Sequence, residues 1–157
     1  MTPMRGMFLS VAAAMAAVPP TAIAAVSGPA QALATVQRFD DTFNKGDGKA
    51  MAAMCAPGAV IIDDFAPHVW KGASACADWW TAIGAFDKKS GVTDGIVTLR
   101  KPWHVDVTGN RAYVVAPTTY TYKQNGKPVV ESGSVWTLVL DKAGGAWRVA
   151  GWSWAQH

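Results

Sequence analysis

The dipeptide Asn125-Gly126 constrains this chain more than any other feature, because it separates two long runs of strand-forming residues. Arg111–Tyr122 is rich in Val, Thr and Tyr, which suit a pleated, half-buried surface, and Val129–Leu140 runs back in kind. Asn-Gly accepts the positive φ angles that a two-residue hairpin turn demands, so the two runs pair antiparallel. Asp141–Gly145 turns again into Ala146–Ala155, and Val97–Val107 enters through Thr108-Gly109-Asn110. The C-terminal half therefore reads as a four-stranded antiparallel meander.

The turn also fixes the register, and the register sorts side chains onto two faces. With Asn125-Gly126 as the whole loop, Thr118 lies opposite Gly133 and Ala116 opposite Val135. One face then carries Ala112, Val114, Ala116, Thr118, Tyr120 and Tyr122 with Glu131, Gly133, Val135 and Thr137. Continued pairing adds Leu99, Trp103, Val105, Ala150, Trp152 and Trp154 to it. The other face carries Tyr113, Val115, Trp136, Leu138, Trp147 and Val149. Both faces are apolar, so one takes helices and the other takes a partner or a second layer. A homodimer through the face bearing Tyr113, Val115, Trp136 and Leu138 is the expectation.

The amino terminus is of a different kind. Arg5 precedes an apolar run, Met7–Val18, and Ala22-Ile23-Ala24 forms a cleavage-type A-x-A site. Residues 1–24 thus read as a secretory signal peptide, with one domain over 25–157 and a periplasmic or secreted location. The run is too short to leave a membrane anchor after cleavage. In an oxidising compartment Cys55 and Cys76, the two cysteines of the chain, are either bridged or buried as thiols. The formal charge of +3 and pI near 9.0 gather into no basic stripe, which argues against nucleic acid. Metal-ligand spacings, a Gly-rich phosphate loop and a G-x-S-x-G elbow are all missing, so no cofactor or metal is expected.

Upstream of the meander, helical spacing of Leu33, Val36, Phe39 and Phe43 predicts a helix over 27–45, closed by Gly46. Asp47 caps a short helix running through Cys55. Ala59–Asp64 is a strand ending in two carboxylates, with His68-Val69-Trp70 returning beside it. Ser74–Phe86 is a third helix, and Asp87–Gly95 is a polar connector. This order is an α+β layout.

Several stretches carry a resemblance: Asn44-Lys45-Gly46-Asp47, Cys55-Ala56-Pro57-Gly58-Ala59-Val60, Trp70-Lys71-Gly72, Asn110-Arg111-Ala112-Tyr113-Val114 and Gly145-Ala146-Trp147-Arg148-Val149. In this order and spacing they resemble the nuclear transport factor 2-like superfamily, in its SnoaL-like and ketosteroid-isomerase-like branch, over about residues 29–156. The resemblance implies a cone, in which a curved antiparallel sheet wraps three helices around a pocket, and dimers through the outer sheet face. It also places a general base at Asp63. Ketosteroid isomerases of this kind use two further proton donors, which would fall on Phe39 and Val135; neither side chain can donate. Steroid isomerisation through that oxyanion hole is therefore not expected, since losing one such donor already costs a few kcal/mol.

What remains is a carboxylate beside an aromatic set. Strand alternation sends Asp63 and Asp64 to opposite sides, and the resemblance puts Asp63 on the pocket side, with Asp64 in solvent. Trp103, Tyr120, Trp152 and Trp154 fall on one sheet face, with Thr118 and Val135 among them and Glu131 near the mouth. Phe39 and Trp70 approach from above. Eight Trp in 157 residues make either a well-packed core or a flat-walled pocket for a small apolar or aromatic molecule. The leading expectation is an exported small-molecule-binding domain. The alternatives are a cofactor-independent isomerase, lyase or hydrolase using Asp63 as acid/base, and a dimerisation module without ligand.

Overall fold

In the computed structural model, which describes residues 28–156, the chain forms α1 (Gly28–Asn44), α2 (Gly48–Ala53), β1 (Cys55–Ile62), β2 (Val69–Lys71), α3 (Ala75–Ser90), β3 (Val92–Leu99), β4 (His104–Thr108), β5 (Arg111–Gln124), β6 (Lys127–Ala143) and β7 (Ala146–Ala155). The signal-peptide reading of residues 1–24 lies outside the described residues. Asn125 and Gly126 both take positive φ, 50° and 79°, and Gln124 pairs directly with Lys127. The hairpin that dominates the sequence is thus a two-residue turn of the expected kind. The sheet runs β2-β1-β7-β6-β5-β3, with β4 also on β5, and its curved, unclosed surface wraps three helices. One pairing departs from the antiparallel rule: β1 lies parallel to β7. Its backbone comes so close there that a Cβ on Gly151 would sit 2.8 Å from the Val60 carbonyl oxygen.

Two bulges correct the expected faces. Tyr120 pairs with Glu131 as the turn dictates, but Thr118 pairs with Ser134 rather than Gly133. Gly133, at φ 92°, is the extra residue between them. The second bulge is at Ala150, because Leu140 pairs with Val149 while Val139 pairs with Gly151. Each inserted residue shifts alternation by one. Trp136, Leu138, Trp147 and Val149, expected outside, are therefore buried in the core. Val135 and Thr137, expected inside, pass to the outer face. Of the expected dimer face only Tyr113 and Val115 remain outward, joined there by Val60, Ile62, Val69 and Val139.

The helical layer differs in its boundaries. The expected connector over 87–95 is the last turn of α3 plus the start of β3. Lys88 and Lys89 sit in that turn, where they suit the negative end of the helix dipole, and Gly91 at φ 70° closes it. The run Val97–Val107 is two strands, parted at Arg100–Trp103 by Pro102, which lacks the N–H a ladder needs. Asp47 caps α2 by accepting the Ala50 N–H at 2.9 Å. Cys55 opens β1 instead of closing α2, and it is joined by a disulfide to Cys76 in the first turn of α3, with Cα atoms 6.6 Å apart. Under the sheet, Ala32, Val36 and Phe39 of α1 bury against Val114, Leu138, Leu140 and Val149. Among the described residues no helix is long and apolar enough to cross a membrane.

Candidate functional site

β1 delivers its carboxylates by simple alternation. Ile61 is buried, Ile62 is exposed, Asp63 turns inward with 9% of its surface exposed, and Asp64 turns out. The chain reverses immediately: Asp63 N–H donates to His68 O and His68 N–H to Phe65 O, which returns the chain into β2. His68 lies at the surface of this turn, its Nδ1 3.1 Å from the Asp63 backbone oxygen, so it does not reach the carboxylate in this arrangement. Asp63 Oδ2 accepts the indole N–H of Trp79 at 2.7 Å, and Oδ1 accepts the Asp64 N–H at 2.8 Å. Burial pushes its pKa up to about 6, against the pull of these two hydrogen bonds.

The carboxylate stands in the wall of a cavity of about 850 Å³. Trp79, Ala82, Ile83 and Phe86 of α3 form one side, and Tyr120, Trp136, Trp152 and Trp154 of the sheet form the other, with Phe43 of α1 between. The rings interlock at right angles: Trp79 meets Trp152 edge-on at 4.9 Å between centroids, and Trp152 meets Trp136 at 5.8 Å. Toward the rim, Tyr122 O–H donates to Glu131 Oε1 at 2.8 Å, and that bond pushes the Tyr122 hydroxyl up to about 12. Burial chiefly raises Tyr120 as well, with Asp87, Glu131 and Asp63 adding to it, and burial raises Asp87. Among the described residues no three side chains are placed to hold a metal ion.

Of the residues singled out in the sequence, Asp63, Tyr120, Glu131, Trp152 and Trp154 line this cavity. Five do not. Phe39 is fully buried behind Trp136, with ring centroids 5.8 Å apart. Trp70 packs on Phe65 at 5.1 Å, and Thr118 spends its hydroxyl on Ser134 O at 3.0 Å. Val135 left the inner face with the Gly133 bulge. Trp103 is 62% exposed, because the break at Pro102 ends the alternation that would have aligned it with Val105. Conversely, Trp79 and Phe86 line the cavity without having been singled out, and so does Trp136, which was expected on the dimer face. Trp79, Ile83 and Phe86 stand at i, i+4 and i+7 on one helix, a spacing that marks a single face.

A family profile described as SnoaL-like domain matches residues 36–150. A search of the curated proteins finds no match. Among solved structures, a ketosteroid isomerase-like protein from Erwinia carotovora atroseptica is 18% identical at a TM-score of 0.66, covering 81% of this chain and 94% of its own. A putative scytalone dehydratase from Novosphingobium aromaticivorans is 11% identical at 0.66, covering 81% and 82%. The CaMKII hub of S. rosetta is 22% identical at 0.67, covering 85% and 100%. Likenesses at these identities establish the fold.

Proposed function

This chain belongs to the SnoaL-like domain family of the nuclear transport factor 2-like superfamily, and from that membership we propose that it is a small-molecule-binding domain taking a compact, largely apolar cyclic or aromatic molecule. The observation that carries this reading is the cavity of about 850 Å³, walled by aromatic rings with one buried carboxylate set among them. Its size and its few placed polar groups suit a small ligand. A screen of small aromatic and alicyclic compounds by thermal shift tests it, because a ligand that binds only the folded state raises Tm by mass action. Ala82→Phe, which fills the cavity from α3, is expected to abolish the shift while leaving the protein folded. A shift that persists unchanged in that variant refutes this cavity as the site.

A second reading, cofactor-independent proton transfer, is favoured by the carboxylate itself. A group with a pKa near 6 is well matched to accept a proton near neutral pH. Phe39 and Val135 supply no oxyanion donor, and the indole N–H groups of Trp136 and Trp152, which have no hydrogen-bond partner among the described residues, are buried in the cavity wall and would reach a ligand only on ring rotation. Solvent-deuterium exchange into the α-position of a small cyclic ketone, lost in Asp63→Asn, is the result that supports it. Exchange unaffected by that substitution removes Asp63 from the role.

Export and self-association complete the proposal. The basic, apolar and A-x-A segments of residues 1–24 support secretion, tested by a mature N-terminus near Ala25. The outward Tyr113, Val60, Ile62, Val69 and Val139 support a homodimer through the sheet. Sedimentation of Ile62→Lys against the parent chain tests that surface.

A further inference from the structure

The charges around the cavity run against those of the chain. The protein carries a formal +3, yet the side chains lining the cavity include four carboxylates, Asp63, Asp64, Asp87 and Glu131, against one cation, the exposed Lys89. These carboxylates come from three separate elements: the end of β1, the last turn of α3, and β6. They surround nine aromatic rings rather than one another's counterions. The two described ion pairs, Arg111–Asp141 and Lys123–Asp94, involve none of these four carboxylates.

Aromatic faces and carboxylates share one preferred guest. The face of a Trp or Tyr ring is the negative end of its quadrupole and attracts a cation that has shed its water. Carboxylates at a low-dielectric wall add a longer-ranged attraction and repel anions. Resting on the small-molecule reading above, we infer that the cavity takes an organic cation, an amine or quaternary ammonium carried on an aromatic or alicyclic body. The cationic head lies toward Asp63 and the rim carboxylates, and the body fills the space between α3 and the sheet. Burial with no cation of the protein beside it is also what lifts Asp63, whose one charged influence is Asp64. A ligand cation supplies the missing countercharge.

Calorimetric titration of the purified protein with three probes of similar size decides the matter: benzyltrimethylammonium, benzyl alcohol and benzoate. The expected order is cation tightest, by about tenfold or more over the alcohol, with benzoate weakest. The gap between cation and alcohol contracts in Asp63→Asn and in Glu131→Gln, each checked for an intact thermal transition. Glu131 is only partly buried, so its variant carries the test if Asp63→Asn does not fold. Equal affinity for alcohol and cation, or a gap unmoved by either substitution in folded protein, overturns the cation proposal and leaves the apolar-ligand reading standing. No heat from any of the three overturns both.

Discussion

Asp40 and Asp63 make a natural pair: two inward-facing aspartates, at 7% and 9% exposure, both held well above the ordinary carboxylate range chiefly by burial. Asp40 is pushed up to about 7, with its exposed neighbour Asp41 adding to the effect. Their surroundings differ. Asp40 sits on α1 against β3, with Oδ1 lacking a hydrogen-bond partner among the described residues and Oδ2 at a long 3.4 Å from Asn44 Nδ2. Asn44 is itself committed to both the N–H and the carbonyl of Val97 at 2.8 Å. Asp63 has a hydrogen bond to each oxygen and faces open space lined by rings. The larger shift thus belongs to the carboxylate outside the main cavity. A perturbed pKa marks burial, and only the geometry around it separates a latch between helix and strand from a site for chemistry.

The sharpest break between the two is ligand binding. Asp63→Asn is expected to weaken a cationic aromatic probe by more than about tenfold, and Asp40→Asn to leave its affinity alone, as read by titration calorimetry. Equal losses in the two variants would collapse the distinction.

Stability should separate them next, with Asp40 in the lead. Its folded pKa of about 7 exceeds the ordinary carboxylate value of 3.8, so the folded state holds its proton more firmly than the unfolded chain. The stability that this gives is complete below about 3.8 and is lost as pH rises through about 7. Asp40→Asn removes the charge, so it is expected to gain about 1–2 kcal/mol at pH 8 and little at pH 4, after discounting for solvent screening near Asp41. Urea unfolding at the two pH values measures this.

A third, smaller effect concerns what holds Asp63 down. Trp79→Phe keeps an aromatic ring and deletes the N–H donor, so the Asp63 pKa climbs further above about 6. In the parent chain, binding of the cationic probe strengthens as pH rises through about 6, where Asp63 loses its proton. In the variant the midpoint moves upward, and a midpoint that stays in place means another group sets the profile. The donor to Asp40, Asn44 Nδ2 at 3.4 Å, is too distant to hold its pKa down in the same way.

The least effect is expected at Val135. Outward on the sheet, it tolerates Val135→Thr within about 0.5 kcal/mol and without change in ligand affinity. A large loss would mean that the Gly133 bulge does not rotate it away from the cavity.

That bulge also shows where the sequence stopped being readable. Asn125-Gly126 and two strand-forming runs are local signals, and they led correctly to the hairpin and its first pairs, whereas the α+β layout came from the order of the elements and the cone from the family resemblance. Strand alternation separated Asp63 from Asp64, a short-range inference, and the family resemblance pointed to Asp63 as the one facing the pocket. A bulge has no comparable local mark: Ser132-Gly133-Ser134 and Ala150-Gly151 fit a regular strand as well as an irregular one. What decides is how Trp136, Leu138, Trp147 and Val149 bury best, which depends on helices more than ninety residues upstream for α1 and on α3. Register counted outward from a turn therefore stays accurate only until the first inserted residue. Trp103 failed for a similar reason, since Pro102 broke a strand that hydrophobic alternation alone made continuous. Trp79 was within reach, because its helical spacing with Ile83 and Phe86 is visible in the sequence.

The bond between Cys55 and Cys76 closes a ring of chain whose ends are separated by 21 residues, and Asp63 lies within that ring. Trp79, the donor to Asp63, stands one helical turn past the ring's closure at Cys76. The carboxylate and its donor are therefore held across the same seam twice, once covalently and once by the hydrogen bond. On the proposed reading, a molecule entering beside them would meet a stretch of backbone already constrained by the ring. Adjustment to such a guest would then fall to side-chain rotation, with recognition tuned by which rotamers of the surrounding indoles it could share and little ordering entropy left to be lost on binding.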